Sequence, residues 1–156
     1  MNGYMLEYGY GNTLFEMIWI VNMECKKIVV VEDELIVGMM IKLKLEKMGY
    51  SVAGFASKGK DAISMVGAIH PDLILMDIRL KGGMDGIETA MRIRDSYKIP
   101  IVFITADSSK ATRERANLAG PQGYLTKPFM DEDLGNIVHS VFYNSVDGVG
   151  EVNVSA

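Results

Sequence analysis

Pro71-Asp72-Leu73-Ile74-Leu75-Met76-Asp77-Ile78 is the stretch whose reading decides the fold. Four consecutive apolar residues, Leu73, Ile74, Leu75 and Met76, end abruptly in a carboxylate. A short run with no polar alternation reads as a strand buried on both faces, as in the middle of a parallel sheet. Pro71 marks its start, and Lys81-Gly82-Gly83 with Asp85-Gly86 mark a loop after it. Asp77 is therefore expected at the carboxyl end of a central strand, the edge where open α/β sheets bind ligands. A carboxylate held there is poorly solvated and needs a partner. The plainer reading is a loop carboxylate that caps a turn.

Working outward, the same kind of unit recurs. A β-branched run over Lys27–Val31 ends in Glu32-Asp33-Glu34. Residues 50–56 alternate as a second strand, Pro100 introduces a fourth over Ile101–Thr105, and Gly123–Thr126 makes a short fifth. Helical spacing fills the gaps. Residues 35–48 carry Ile36, Met39, Met40, Leu43 and Lys47 at that spacing, with Gly49 as the closing residue. Residues 58–69 show a stripe of Ala62, Ile63, Val66 and Ile69, and Gly86–Ser96 uses Ile87, Ala90 and Met91. Residues 109–119 start at a Ser108 or Ser109 cap. Asp131–Tyr143 presents Leu134, Ile137, Val138, Val141 and Phe142 on one face. Five strand-then-helix units predict an α/β fold with helices on both faces of a parallel sheet. The common five-stranded solution is a doubly wound sheet of order 2-1-3-4-5, the flavodoxin-like arrangement.

The bulk properties agree. The chain has 156 residues, 49% apolar and 23% charged, enough for one domain with a real core. Net charge is −4 and no basic block appears, which argues against a nucleic-acid surface. The single cysteine, Cys25, excludes an intramolecular disulfide and suits a reducing cytoplasm, and no Cys/His cluster has zinc spacing. Residues 1–25 read as an N-terminal extension without the strand-helix period. Their apolar run at residues 14–21 carries Glu16 and falls short of the ~20 residues of a membrane span. A secretory signal would want a basic start, whereas Glu7 stands there with no Lys or Arg. Two readings remain for it, a short docking helix and a start assigned upstream of the true one at Met23; the second is favoured. Residues 26–145 are expected to form the domain and 146–156 a flexible tail.

The chemistry collects at the strand ends. Glu32 and Asp33, Asp77, Thr105, and Lys127 just past Thr126 all fall on one edge if the sheet is parallel. Three carboxylates near one point repel by several kcal/mol, and an all-oxygen set of this kind suits Mg²⁺. Lys127 adds a positive charge and Thr105 a hydroxyl. The set matches a phosphoryl group on or near a carboxylate, with metal and Lys neutralising its oxygens and a hydroxyl bonding one. Singly, each residue is more simply a helix cap or a solvated side chain; the conjunction of four strand ends is what carries the reading.

From about Lys26 to Tyr143, roughly three quarters of the chain, the sequence resembles the receiver domain of two-component response regulators, the CheY-like superfamily. The residues that carry the resemblance are Val29-Val30-Val31-Glu32-Asp33-Glu34, Leu75-Met76-Asp77, Gly83-Met84-Asp85-Gly86, Ile104-Thr105-Ala106 and Tyr124-Leu125-Thr126-Lys127-Pro128-Phe129. The resemblance implies that Asp77 is the phosphoacceptor, taking a phosphoryl group from a phosphohistidine of a histidine kinase or phosphotransfer protein. It implies that Glu32, Asp33 and Asp77 hold Mg²⁺ together with the backbone carbonyl of Arg79. Lys127 would contact the phosphoryl group, with a cis Lys127-Pro128 bond. Thr105 and Tyr124 would be the switch pair that remodels a partner-binding face of the fourth helix, fifth strand and fifth helix. The resemblance also implies a cytoplasmic phosphoprotein that catalyses its own phosphotransfer and slow self-dephosphorylation, with a downstream protein target, no metabolic substrate, and room for a phosphorylation-linked dimer. The resemblance further implies that Arg79 and Asp107 would flank the approach of the hydrolytic water. Two departures stand out: Glu32 where Asp is also common, and Pro121-Gln122 before Gly123, expected to act only on the local loop.

Rival classes fit less well. A haloacid-dehalogenase-type phosphatase wants a second Asp two residues after its nucleophile, and that position is Arg79. A dinucleotide site wants Gly-x-Gly-x-x-Gly where Glu32-Asp33-Glu34 stands, and no Walker loop is present. A non-phosphorylated receiver-like module usually lacks one of the acids, the Lys or the Thr. No output domain or basic stripe is legible after Tyr143, and neither His70 nor His139 lies in a phosphotransfer context, so the phosphodonor is expected from elsewhere.

Overall fold

A computed structural model describes residues 26–143 of the chain, so the expectations for the N-terminal extension, Cys25 and the tail lie outside the described residues. The elements run β1 (Lys27–Val31), α1 (Leu35–Lys47), β2 (Ser51–Ala56), α2 (Gly59–Ile69), β3 (Leu73–Asp77), α3 (Gly86–Ser96), β4 (Ile101–Thr105), α4 (Lys110–Asn117), β5 (Gly123–Thr126) and α5 (Asp131–Tyr143). All neighbouring strands are parallel, in the order β2-β1-β3-β4-β5. The doubly wound α/β sheet expected from the alternation of strands and helices is the one observed.

Each central strand hides a period of two under its unbroken apolar run. Ile28, Val30, Leu73, Leu75, Val102 and Ile104 point to one side, where α1 and α5 supply Ile41, Leu45, Leu134, Val138 and Val141. Val29, Val31, Ile74, Met76, Ile101 and Phe103 point to the other, under α2, α3 and α4. Because both faces are covered, neither set can be polar. Each such side chain fully removed from water contributes about 1.5–3 kcal/mol.

Three local readings are corrected. Met91 is exposed, and Ile93 takes the buried place on α3 beside Ile87 and Ala90. The β1–β2 register jumps from Ile28↔Val52 to Val29↔Gly54, a bulge that leaves Ala53 unpaired. At Gly54 the space a Cβ would take is filled by the ends of the Met65 and Ile69 side chains of α2. The row Ile36, Met39, Met40, Leu43 on α1 is not the packing face. It stands exposed, while Gly38, Ile41 and Leu45 are buried. The helix is apolar nearly all round, so periodicity could not select its face. Gly38 does, because a side chain there would enter the Phe55 ring on β2.

Candidate functional site

Every carboxylate of the expected site sits at the carboxyl edge. β1 ends at Val31, so Glu32 and Asp33 are the first residues past it, and Asp77 is the last residue of β3. Glu32 is 1% exposed and Asp77 5% exposed, values normally reserved for apolar groups. One oxygen of each of Glu32, Asp33 and Asp77 lies within 4.8 Å of the others.

Backbone and lysine hold this charge in place. The amide of Glu34 donates to Glu32 Oε1 at 3.1 Å, and the amide of Arg79 donates to Asp77 Oδ1 at 3.0 Å. Lys127 Nζ bridges the remaining oxygens, 2.6 Å from Glu32 Oε2 and 3.1 Å from Asp77 Oδ2. Lys127 reaches them because β5 lies beside β4 and ends at the same edge; the Lys127-Pro128 bond is cis. Burial pushes the Glu32 carboxyl above its ordinary value, against the Lys127 hydrogen bond that lowers it. Burial alone would lower the Lys127 ammonium, but the Glu32 hydrogen bond and the two carboxylate charges outweigh it and hold it raised.

Asp33 shows what the cluster is short of. Its Oδ2 is buried and accepts no hydrogen bond among the described residues. The Lys81 ammonium stands 3.4 Å from it, but that side chain is 86% exposed and well solvated. A buried carboxylate oxygen without a hydrogen bond is costly. A hard cation satisfies such an atom, and the all-oxygen donor set suits Mg²⁺. The residues present therefore fit the ion.

The loops around the cluster are shaped to bring chain close. A Cβ on Gly86 would collide with the Asp77 carbonyl, so only glycine lets α3 begin against the end of β3. Gly82 and Gly83 take φ of 105° and 88°, the left-handed turn region that glycine enters without strain. Asp85 caps α3 by accepting from the Glu88 amide at 2.9 Å, and it also pairs with Arg115 of α4 at 2.6 Å.

Thr105, the last residue of β4, is buried and its hydroxyl is engaged with its own loop. It accepts from the Asp107 amide at 2.9 Å and donates to the Asp107 carbonyl at 3.2 Å. Asp107 in turn accepts from the Ser109 amide and the Thr112 hydroxyl, and pairs with Arg79 Nη2 at 3.1 Å. These bonds, led by the Ser109 amide, hold its carboxyl well below the usual carboxylate range. Arg79 and Asp107 thus lie across the loops that follow β3 and β4. Tyr124 is half-buried 6.0 Å from Phe103, donates to Asn117 Oδ1 at 2.6 Å, and carries the Arg113 guanidinium over its ring at 4.7 Å. Burial pushes its phenol up. The structure brings Glu32, Asp33, Asp77 and Lys127 into one cluster and sets Thr105 at the same edge; Tyr124 stands apart, on β5 beside α4. Sequence reasoning missed Lys81, Arg113, Arg115 and Asn117, which reach their partners only through the three-dimensional fold. The two helix caps had local signals, Ser109 three residues ahead of Thr112 and Asp85 three residues ahead of Glu88.

Among the described residues no helix is long and apolar enough to cross a membrane. The family model of the response regulator receiver domain matches residues 28–139. The transcriptional regulatory protein PdtaR of Mycobacterium tuberculosis is 36% identical over 70% of this chain and 53% of its own length. The uncharacterized transcriptional regulatory protein YrkP of Bacillus subtilis is 41% identical over 69% of this chain and 46% of its own. The chain thus spans about half the length of the curated relatives it matches. Among solved structures, the signal receiver domain of a modulated diguanylate cyclase from Desulfovibrio desulfuricans G20 superposes with a TM-score of 0.71 at 33% identity, over 76% of this chain and 94% of that one.

Proposed function

Since this chain belongs to the response regulator receiver domain family, we propose that it receives a phosphoryl group on Asp77 from a phosphohistidine of a sensor kinase or phosphotransfer protein. The observation that carries the reading is Asp77 itself, 5% exposed at the end of the central strand, with Lys127 at 3.1 Å and two further carboxylates beside it.

In the proposed step an Asp77 oxygen attacks phosphorus in line, the P–N bond to the donor imidazole breaks, and that nitrogen leaves with the bonding pair and takes up a proton. Mg²⁺, held by Glu32, Asp33, Asp77 and the Arg79 backbone carbonyl, would neutralise charge on the phosphoryl oxygens. Lys127 neutralises a further oxygen once it lets go of Asp77. Burial of the cluster strengthens both effects. Thr105 exchanges its bond to the Asp107 carbonyl for one to the new phosphoryl oxygen. Tyr124 follows behind it, and the surface of α4, β5 and α5 changes for a downstream protein target or a second phosphorylated copy.

The working unit is residues 26–145, with 1–25 and 146–156 outside it, and its setting is cytoplasmic. This unit carries no basic block and is not proposed to bind nucleic acid itself. The name of PdtaR describes transcriptional regulation, and an output of that kind would reside in sequence this chain does not span.

The test is direct. Incubation with a small phosphodonor and MgCl₂, followed by mapping of the acyl phosphate, should place it on Asp77. Asp77→Asn should abolish it; label that survives this change refutes the assignment.

A further inference from the structure

Two ammonium groups meet the cluster of Glu32, Asp33 and Asp77, and they are held very differently. Lys127 is largely buried and donates two hydrogen bonds, to Glu32 at 2.6 Å and to Asp77 at 3.1 Å. Lys81 reaches in from the loop after β3. It stands in solvent and comes to 3.4 Å from Asp33 Oδ2 without making a hydrogen bond to it. The Asp33 side chain is only 9% exposed, so water does little for its carboxylate, whereas the lysine is solvated in either position.

We propose that Lys81 is a built-in competitor for the cation at Asp33, and that it sets how tightly this chain holds Mg²⁺. The inference rests on the reading of Glu32, Asp33 and Asp77 as a Mg²⁺ site. Charge supplies the first reason. Three carboxylates face two ammonium groups, so one negative charge is left uncompensated. A divalent cation overfills that deficit by one charge, and the excess is relieved when one ammonium withdraws. Bonding supplies the second reason, because it decides which ammonium withdraws. Lys127 would surrender two hydrogen bonds to buried oxygens, a costly loss. Lys81 would surrender one screened contact, which is worth little. Position supplies the third. Oδ2 of Asp33 is the buried carboxylate oxygen that lacks a hydrogen bond, and hence the atom a hard cation satisfies. It is also the atom that Lys81 faces. Ammonium and ion thus compete for the same oxygen. In the metal-free domain Lys81 partly offsets the charge of Asp33, and it weakens Mg²⁺ binding in return.

The test is the Kd for MgCl₂ of the full, unphosphorylated chain, read from the chemical shifts of the Glu34 and Arg79 amides at constant ionic strength. In low salt, Lys81→Met should lower this Kd about three- to fivefold, the scale of one screened contact and one like-charge repulsion. The gap should close at 1 M ionic strength, where the Debye length is about 3 Å. Lys81→Arg keeps the charge and should stay near the wild type. Lys98→Met makes the same change in net charge before β4, at the opposite edge of the sheet, and should leave the Kd unchanged. Asp33→Asn tests the site itself and should weaken Mg²⁺ whatever stands at position 81. An unchanged or raised Kd in Lys81→Met refutes the proposal, and a loss of Mg²⁺ in Asp33→Asn would then leave the metal-site reading standing. A tightening that Lys98→Met reproduces also refutes it, because net charge alone would be the cause. Mg²⁺ that moves neither amide in the wild type overturns the metal-site reading, and the proposal with it.

Discussion

Lys127→Met tests the electrostatic logic of the cluster at its centre. The ammonium lies 2.6 Å from one buried carboxylate and 3.1 Å from another. At an effective dielectric of about 20, each contact is worth about 5–6 kcal/mol of attraction before desolvation is subtracted. Removing one partner of a buried ion pair costs about 3–5 kcal/mol net, because the charges left behind are unpaired. The Lys127 side chain is 19% exposed, so its partners are partly reachable by water and the low end applies. The expected loss is about 3 kcal/mol, or about 10–15 °C in Tm for a domain of this size. Urea unfolding at pH 7 without Mg²⁺ measures it. Lys127→Met combined with Glu32→Gln, which also removes the repelled charge, should recover most of the loss, and saturating MgCl₂ should recover most of it in the single variant. The pH arm follows from the raised ammonium. Its stabilisation is complete below the ordinary lysine value of 10.5 and is lost as pH rises through the higher folded value. Wild type should therefore weaken at strongly alkaline pH by more than Lys127→Met does. A loss under about 1 kcal/mol, or one that neither Glu32→Gln nor Mg²⁺ repairs, would show that Lys127 does not compensate the cluster.

Other outcomes follow from the same geometry. Mg²⁺ at a hundred times its Kd should stabilise the wild type by about 2.7 kcal/mol, read as a shift in thermal unfolding; Asp33→Asn should remove most of that shift without lowering stability in its absence. The Arg79–Asp107 pair should slow hydrolysis of phospho-Asp77, so Arg79→Ala and Asp107→Ala should each speed decay about two- to fivefold, the range of an exposed pair. The double change should be no faster than the faster single one, and additive effects would show two independent groups. Because Asp107 is held below the carboxylate range, this pair persists above the ordinary carboxylate value and is lost only as pH falls through the lower folded one. The decay rates of wild type and Arg79→Ala should therefore converge only in strong acid.

Much of this is legible in the sequence, and the parts that are not share a cause. Strand type and the position of Asp77 follow from runs such as Leu73-Ile74-Leu75-Met76, buried on both faces, whereas the strand order is not encoded in any run and was expected only as the common arrangement of five such units. The clustering of Glu32, Asp33, Asp77 and Lys127 then follows from topology alone, because parallel strands carry their ends to one edge. The face of α1 was not legible, since a helix with Ile36, Val37, Met40, Ile41 and Leu45 offers apolar residues on every side. A glycine and the Phe55 ring on a neighbouring strand decide it. Nor was the Arg115–Asp85 bridge, because it joins α4 to the loop after β3 and no local pattern encodes the meeting.

Those distant contacts bear on how far a phosphoryl group could act. In the described state the Thr105 hydroxyl is held by Asp107, the Tyr124 hydroxyl by Asn117, and Arg115 by Asp85. On the proposed reading, Thr105 would exchange a neutral hydrogen bond of about 0.5–1.5 kcal/mol for a charge-assisted one of about 1.5–3 kcal/mol. The gain, about 1 kcal/mol, shifts a two-state equilibrium by only about fivefold. Turning a 1:99 population into 99:1 takes about 5.5 kcal/mol. Thr105 alone therefore cannot drive a complete change of the α4 surface. The remainder has to come from the groups that the phosphoryl oxygens would also engage, chiefly Lys127 as it leaves Asp77. On this arithmetic a partner that binds only the altered surface would supply part of the shift itself, and phosphorylation without that partner would leave the surface distributed between the described arrangement and the altered one.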